Sequence, residues 1–163
     1  MTRAAHSTSN LTTPIAPIPV VTEPICDEFV VRISGDAATS SALGRDLDGQ
    51  RVGRLRRISA AKLRLWGLSQ LGDDAKLLIS EVVTNALRYG EGGEIEFRLV
   101  ITLRGLLIAV NDGSAQRPQL SMVGASSETG RGLFLIAAFA DDWGVCPDGT
   151  TTWCTLSLAR ACR

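Results

Sequence analysis

The sequence predicts an α+β fold, a two-layer α/β sandwich with helices on one face of a mostly antiparallel sheet. Three observations carry this expectation. Apolar periodicity changes along the chain in the order strand, helix, helix, two strands, helix, two strands. Each late strand pair is joined by a short connection, one near Arg104-Gly105 and one at Pro147-Asp148-Gly149, so each pair runs antiparallel. The stretch LLISEVVTNALRYG, Leu77 to Gly90, is an amphipathic helix and needs a layer to pack against.

Residues 1–24 are rich in Thr, Ser and Pro without periodicity, which predicts a disordered tail and leaves 25–163 as one domain. ICDEFVVRIS, Ile25 to Ser34, reads as a strand with Phe29, Val31 and Ile33 on one face. Residues 35–49 read as a loop or broken turn. Val52, Leu55, Ile58, Leu63 and Leu65 suit a helix over 50–66, with Gly67 as its stop. Asp73 reads as the N-cap of the next helix, which runs to Tyr89 and ends at Gly90.

On that helix, residues placed at about 100° steps put Ala75, Leu78, Ile79, Val82, Ala86 and Tyr89 on one apolar arc. GEIEFRLVITLRGLLIAVNDG then supplies two strands. A polar stretch follows, and GRGLFLIAAFAD is apolar almost all round, predicting a buried helix. DWGVCPDGTTTWCTLSLA closes the chain as two strands about a Pro-Asp-Gly turn.

A chain of 163 residues with 45% hydrophobic and 21% charged residues suits one globular domain. Lys+Arg and Asp+Glu both number 17, so no basic surplus points to nucleic acid or an anionic membrane. The cluster RVGRLRRISAAKLR is local and reads as a solvated helix face. Cys26, Cys146, Cys154 and Cys162 form no C-x-x-C pair, and His6 is the only histidine. That spacing predicts neither structural zinc nor a disulfide framework, and reduced thiols suit the cytoplasm. No run reaches the roughly 18 apolar residues of a membrane span, and no secretory signal is predicted.

Two residues of the opening helix stand at the margin of its apolar arc. Asn85 falls at one edge and Glu81, one turn earlier, just beyond it. Both also suit boundary positions with local hydrogen bonds. An Asn carbonyl oxygen is a neutral, hard ligand suited to Mg²⁺, and a nearby carboxylate can hold a water or accept a proton from a hydroxyl. Arg88 lies near the same line, where it either pairs with Glu81 or meets a phosphate. Asp112 ends an apolar strand and Gly113 follows. Read alone, Asn-Asp-Gly is a turn; a carboxylate there also accepts from an exocyclic amino group such as that of adenine. Gly130 and Gly132 stand at the start of a buried helix, a flexible joint or a phosphate site.

The order and spacing of E-x-x-x-N on a helix, D-G after a strand and G-x-G-L opening a helix resembles the ATP-binding domain of the GHKL superfamily. Within it, LLISEVVTNALRYG, VNDGS, GRGLFLI, DWGV and GTTTWCTL resemble the anti-sigma-factor serine/threonine kinases. The resemblance implies the Bergerat ATP-binding fold over most of the chain, with Mg²⁺ on Asn85 and Glu81 as catalytic base. It implies adenine at Asp112 and Gly113, phosphates at Gly130, Arg131, Gly132 and Leu133, with Arg88 near them, and Thr151 beside the adenine. Residues 114–129 would form the ATP lid. The implied partners are a sigma factor and an anti-sigma-factor antagonist phosphorylated on serine, with a homodimer as a further implication. The other reading is a non-catalytic ATP-binding module whose docking surface is set by nucleotide. A sensor histidine kinase would need an acceptor histidine on a dimerisation hairpin, and His6 lies in the tail.

Overall fold

The computed structural model describes residues 16–18, 24–34, 42–90, 93–114 and 128–159. Their elements are β1 (Ile25–Ser34), α1 (Ala42–Leu65), a short 3₁₀ turn (Ser69–Leu71), α2 (Gly72–Tyr89), β2 (Glu94–Thr102), β3 (Gly105–Asn111), α3 (Glu128–Phe139), β4 (Asp142–Val145) and β5 (Thr151–Ser157). The strands form one five-stranded sheet in the order β1-β2-β3-β5-β4. Every neighbouring pair is antiparallel. The three helices lie on one face, as the alternation of apolar residues requires.

That alternation separates two apolar layers. Ile95, Phe97, Leu99, Leu106, Ile108, Val110, Cys154 and Leu156 face the helices and join Leu78, Ile79, Val82 and Val83 of α2 in the main core. Phe29, Val31 and Ile33 pack against the same core. Val100, Leu107, Ala109 and Trp153 form the second layer on the outer face. Ala16 and Ile18 pack against it, within the stretch whose sequence reads as a tail. The Trp153 indole N–H donates to the Ala16 carbonyl at 3.0 Å, and the Ala16 N–H donates to the Val145 carbonyl at 3.0 Å.

The structure corrects several local expectations. Residues 42–49, read as loop, are helical, so α1 starts well before Gln50. A helical glycine costs only about 1 kcal/mol, and the Asp48–Arg51 pair at 3.0 Å spans one turn beside Gly49. Gly67 does stop α1. At φ 72° it allows nested bonds, Gly67 N–H to Arg64 O and Leu68 N–H to Leu63 O, and brings together the buried Leu63 and Leu68. Asp73 is not the N-cap of α2: Leu71 is, without a side-chain bond, and Asp73 lies in the first turn. Tyr89 leaves the apolar arc and is exposed, while Val83 and Leu87 are buried. Only one side of α3 is buried, with Leu133 and Ile136 inside and Phe134 and Phe139 exposed.

A carboxylate ties β1 to the end of α1. Asp27 accepts the Trp66 indole N–H at 2.7 Å, and Lys62 approaches it at 3.9 Å while lying over the Phe29 and Trp66 rings. The Trp66 bond, then the Glu28 backbone N–H, hold the Asp27 carboxyl below its ordinary range.

Burial pushes the Cys154 thiol from its ordinary 9.0 up to about 12. Between those values an unfolded chain gives up a proton that the folded chain keeps, so stability falls as pH rises. We expect the unfolding free energy of wild type from urea titrations to fall more steeply over this range than that of Cys154→Ala, by up to about 1.4 kcal/mol per pH unit. Parallel pH profiles for the two proteins would place the thiol in water.

Candidate functional site

The C-terminal half of α2 is where the separate sequence signals meet. Glu81 and Asn85 are half-buried on the side of α2 that faces α3. Gly132 of α3 presses onto both. A Cβ at Gly132 would stand 2.8 Å from Glu81 Oε2, 3.3 Å from Asn85 Oδ1 and 3.4 Å from Asn85 Nδ2. Glycine at 132 leaves the α3 backbone directly against a carboxylate and an amide, and a side chain there would have to displace the flexible end of Glu81. The Asn85 Nδ2 group is buried and has no hydrogen-bond partner among the described residues. An orphaned buried donor costs about 1–3 kcal/mol, so a hydrogen-bond acceptor brought to it would stabilise the site.

Asp112 is brought to the end of the same helix by a second close approach. At Gly90 an added Cβ would lie 2.5 Å from the Ala86 carbonyl oxygen and 3.4 Å from Asp112 Cβ. Gly90 ends α2 in an extended conformation, φ −62° and ψ 153°, with its N–H on Ala86 O. It stands about 7.5 Å beyond Asn85 along the helix axis at 1.5 Å per residue. Glu81, Asn85 and the Asp112 contact therefore follow one another along the axis of α2, with Gly132 over the first two.

The loop after β3 is fixed by its own side chains. Asp112 Oδ1 accepts the Ser114 N–H at 2.9 Å, Asn111 Oδ1 accepts the Gly113 N–H at 2.9 Å, and Gly113 takes φ 69°, which few side chains tolerate. The Asp112 N–H donates to Thr150 O at 3.0 Å, extending the β3–β5 ladder by one residue. Asp148, in the turn before β5, accepts both the N–H and the hydroxyl of Thr150 at 3.0 Å. Those bonds, the backbone one first, hold its carboxyl below the usual range.

Alternation along the strands puts Thr151 and Asp112 on opposite faces of the sheet. Val110 faces the helices, so Asp112 does too, in accord with its contact at Gly90. Thr151 pairs with Asn111, and its Oγ accepts the Asn111 amide at 3.0 Å; both belong to the outer face, with Trp153. Thr152, paired with Val110, is the threonine on the Asp112 side. Period-two counting from Cys154 and Leu156 would have found it.

The glycine pair also sits differently from its expectation. α3 begins at Glu128, so Gly130 and Gly132 lie inside its first two turns. The N–H groups at the start of a helix lack intrahelical acceptors; among the described residues here they are those of Glu128, Thr129 and Gly130. The Leu133 side chain is a buried core residue and is not available to a ligand. Arg88 is exposed near the end of α2. The Arg131 side chain and residues 115–127, most of the expected lid, lie outside what the structure describes.

Residues 46–156 match the histidine kinase-like ATPase domain, and the chain belongs to that family. It is therefore a GHKL-type ATP-binding domain, and its antiparallel sheet with helices on one face is the fold of that family. No curated protein matches the chain in sequence. Among the described residues no helix is long and apolar enough to cross a membrane.

Proposed function

We propose that this chain is an ATP- and Mg²⁺-dependent protein serine/threonine kinase that acts as an anti-sigma regulatory factor in the cytoplasm. It phosphorylates an anti-sigma-factor antagonist on serine and sequesters a sigma factor. The observation that carries the reading is the press of Gly132 onto Glu81 and Asn85, with the Asn85 amide buried and unpartnered. It supports a site in which the α3 N-terminus, a carboxylate and a hard oxygen ligand act on the same phosphate chain.

In this reading the Asp112 carboxylate accepts from the adenine amino group, and Gly113 allows the ring to approach the backbone. Thr152, on the same side of the sheet, replaces Thr151 as the hydroxyl bordering that position. The N–H groups of Glu128, Thr129 and Gly130 at the start of α3 meet the phosphates, with Arg88 at the rim. Asn85, through its Oδ1, is the residue that would hold Mg²⁺, which when bound would supply charge neutralisation to the phosphates. Among the described residues no three His, Cys, Asp or Glu side chains gather to hold a metal ion, which suits an ion completed by phosphate and water.

Glu81 accepts the proton of the acceptor hydroxyl. The hydroxyl oxygen bonds to the γ-phosphorus as the bond from that phosphorus to the bridging oxygen of ADP breaks. Helix N–H groups at the α3 end stabilise charge on the transferring group.

The test is transfer of label from ATP to candidate antagonists, with Mg²⁺, by wild type and Glu81→Ala. We expect serine labelling by wild type and a loss of about 10²–10⁴-fold in the variant, the usual worth of a general base. ATP binding without transfer to any antagonist would favour the non-catalytic module.

A further inference from the structure

A groove of about 820 Å³ runs between α1 and α2. Arg56, Arg57, Arg64 and Lys76 line it, together with Ser80 and Glu81. Glu81 therefore has two sides: one lies under Gly132, and the other closes the end of a cationic groove.

The cations are placed there by the helix repeat. Residues 53, 57, 60 and 64 follow the i, i+4, i+7, i+11 spacing of a single helix stripe that borders α2, with Arg57 and Arg64 exposed to solvent along the groove. Gly53 opens the stripe: the position of a Cβ there is 3.8 Å from a guanidinium nitrogen of both Arg56 and Arg57. Arg56 donates to Ser80 Oγ at 3.4 Å, and Lys76 pairs with Asp73 at 3.4 Å. Among the described residues, Arg57 and Arg64 enter no ion pair. Four cations are thus held along one groove of a chain whose formal net charge is zero. Asp73 pairs with Lys76 and Glu81 stands at one end, so Arg57 and Arg64 are the exposed guanidinium groups suited to meet an added anion.

We infer that this groove docks an acidic segment of the acceptor protein and delivers its hydroxyl to Glu81. Carboxylates of that segment pair with Arg57 and Arg64, whose forked guanidinium groups suit bidentate recognition. Its less polar residues lie over Ala60 and Leu77 between the cations. Glu81 at the groove's end admits a neutral hydroxyl and repels a continuous phosphate backbone, which favours an acidic peptide over nucleic acid. The inference rests on the kinase reading of the site, and it adds the partner's chemistry to it.

Fluorescence anisotropy with a labelled Asp/Glu-rich, serine-containing peptide tests the groove, alongside calorimetry with Mg-ATP. The proteins are wild type, Arg57→Glu/Arg64→Glu and Arg57→Ala/Arg64→Ala. We expect wild type to bind the peptide in a salt-sensitive manner, charge reversal to weaken it about tenfold or more, and alanine to weaken it less. Mg-ATP affinity should be the same in all three. No peptide binding at low salt, equal binding by the reversed variant, or tighter binding of an oligonucleotide than of the peptide would overturn the inference. A failure of wild type to bind Mg-ATP while the peptide still binds would strike the kinase reading and leave the groove standing.

Discussion

In calorimetric titration with Mg-ATP, Asp112→Ala and Asn85→Ala are each expected to lose about a hundredfold in affinity, and Asn85→Ala most of its Mg²⁺ dependence. Each substitution removes a bond to a polar or charged group of the ligand, worth about 1.5–3 kcal/mol, and 1.4 kcal/mol is tenfold. The two losses have separable signatures. Without Mg²⁺, wild type should fall towards the affinity of Asn85→Ala, whereas Asp112→Ala should remain weak with or without the ion. Asp112 also holds the Ser114 N–H at 2.9 Å, so Ala there loosens the loop as well as the adenine contact. Asp112→Asn keeps an acceptor for that N–H and separates the two effects. Equal affinity in wild type, Asn85→Ala and Asp112→Ala would remove nucleotide from this end of α2.

The layers of the fold were legible because they depend on local signals. Short connections at Arg104-Gly105 and Pro147-Asp148-Gly149 dictate hairpins, and both are present as β2–β3 and β4–β5. The amphipathic arc of α2 identified its buried face to within one row of side chains, with Tyr89 replaced by Val83 and Leu87. Residues 42–49 are helical rather than a loop, since the cost of Gly44 and Gly49 is small beside extension of a packed helix. Asp73 was a sound capping residue in the wrong turn, since the 3₁₀ turn before α2 feeds the chain into the helix without a side-chain cap.

The candidate site was legible as residue types and not as contacts. Glu81, Asn85 and Asp112 stood out because polar groups beside apolar runs need a reason. Nothing local says that Gly90 lies against Asp112, or that Gly132 lies against Glu81, because each contact joins elements far apart in the chain. Thr151 and Thr152 differ by one residue in a run of three threonines, and in a strand one residue is the difference between opposite faces. Leu133, which the resemblance places with the phosphates, has its side chain in the core, one turn into a helix that starts at Glu128.

The substitution that most directly probes this architecture adds a single methyl group. Gly132→Ala is expected to leave the fold intact or make it more stable, and yet to reduce phosphotransfer about a hundredfold. Ala is preferred over Gly in a helix interior by about 1 kcal/mol, which for a chain of this size raises Tm by about 2–4 °C. Against that, the new Cβ would lie 2.8 Å from Glu81 Oε2. The carboxylate sits at the end of a flexible side chain and yields by rotation, at a cost of about 0.5–1.5 kcal/mol. Asn85, at 3.3–3.4 Å and with its Nδ2 buried, has less room to follow. Stability therefore changes little in either direction, while the proton acceptor is moved away from the reacting hydroxyl. A displacement of about 1 Å can cost roughly a hundredfold in rate. A merely structural glycine would give the reverse pattern: Tm and transfer would fall together. If Gly132→Ala transferred phosphate at the wild-type rate, the contact between α3 and Glu81 would have no part in the chemistry, and the general-base assignment would fall with it.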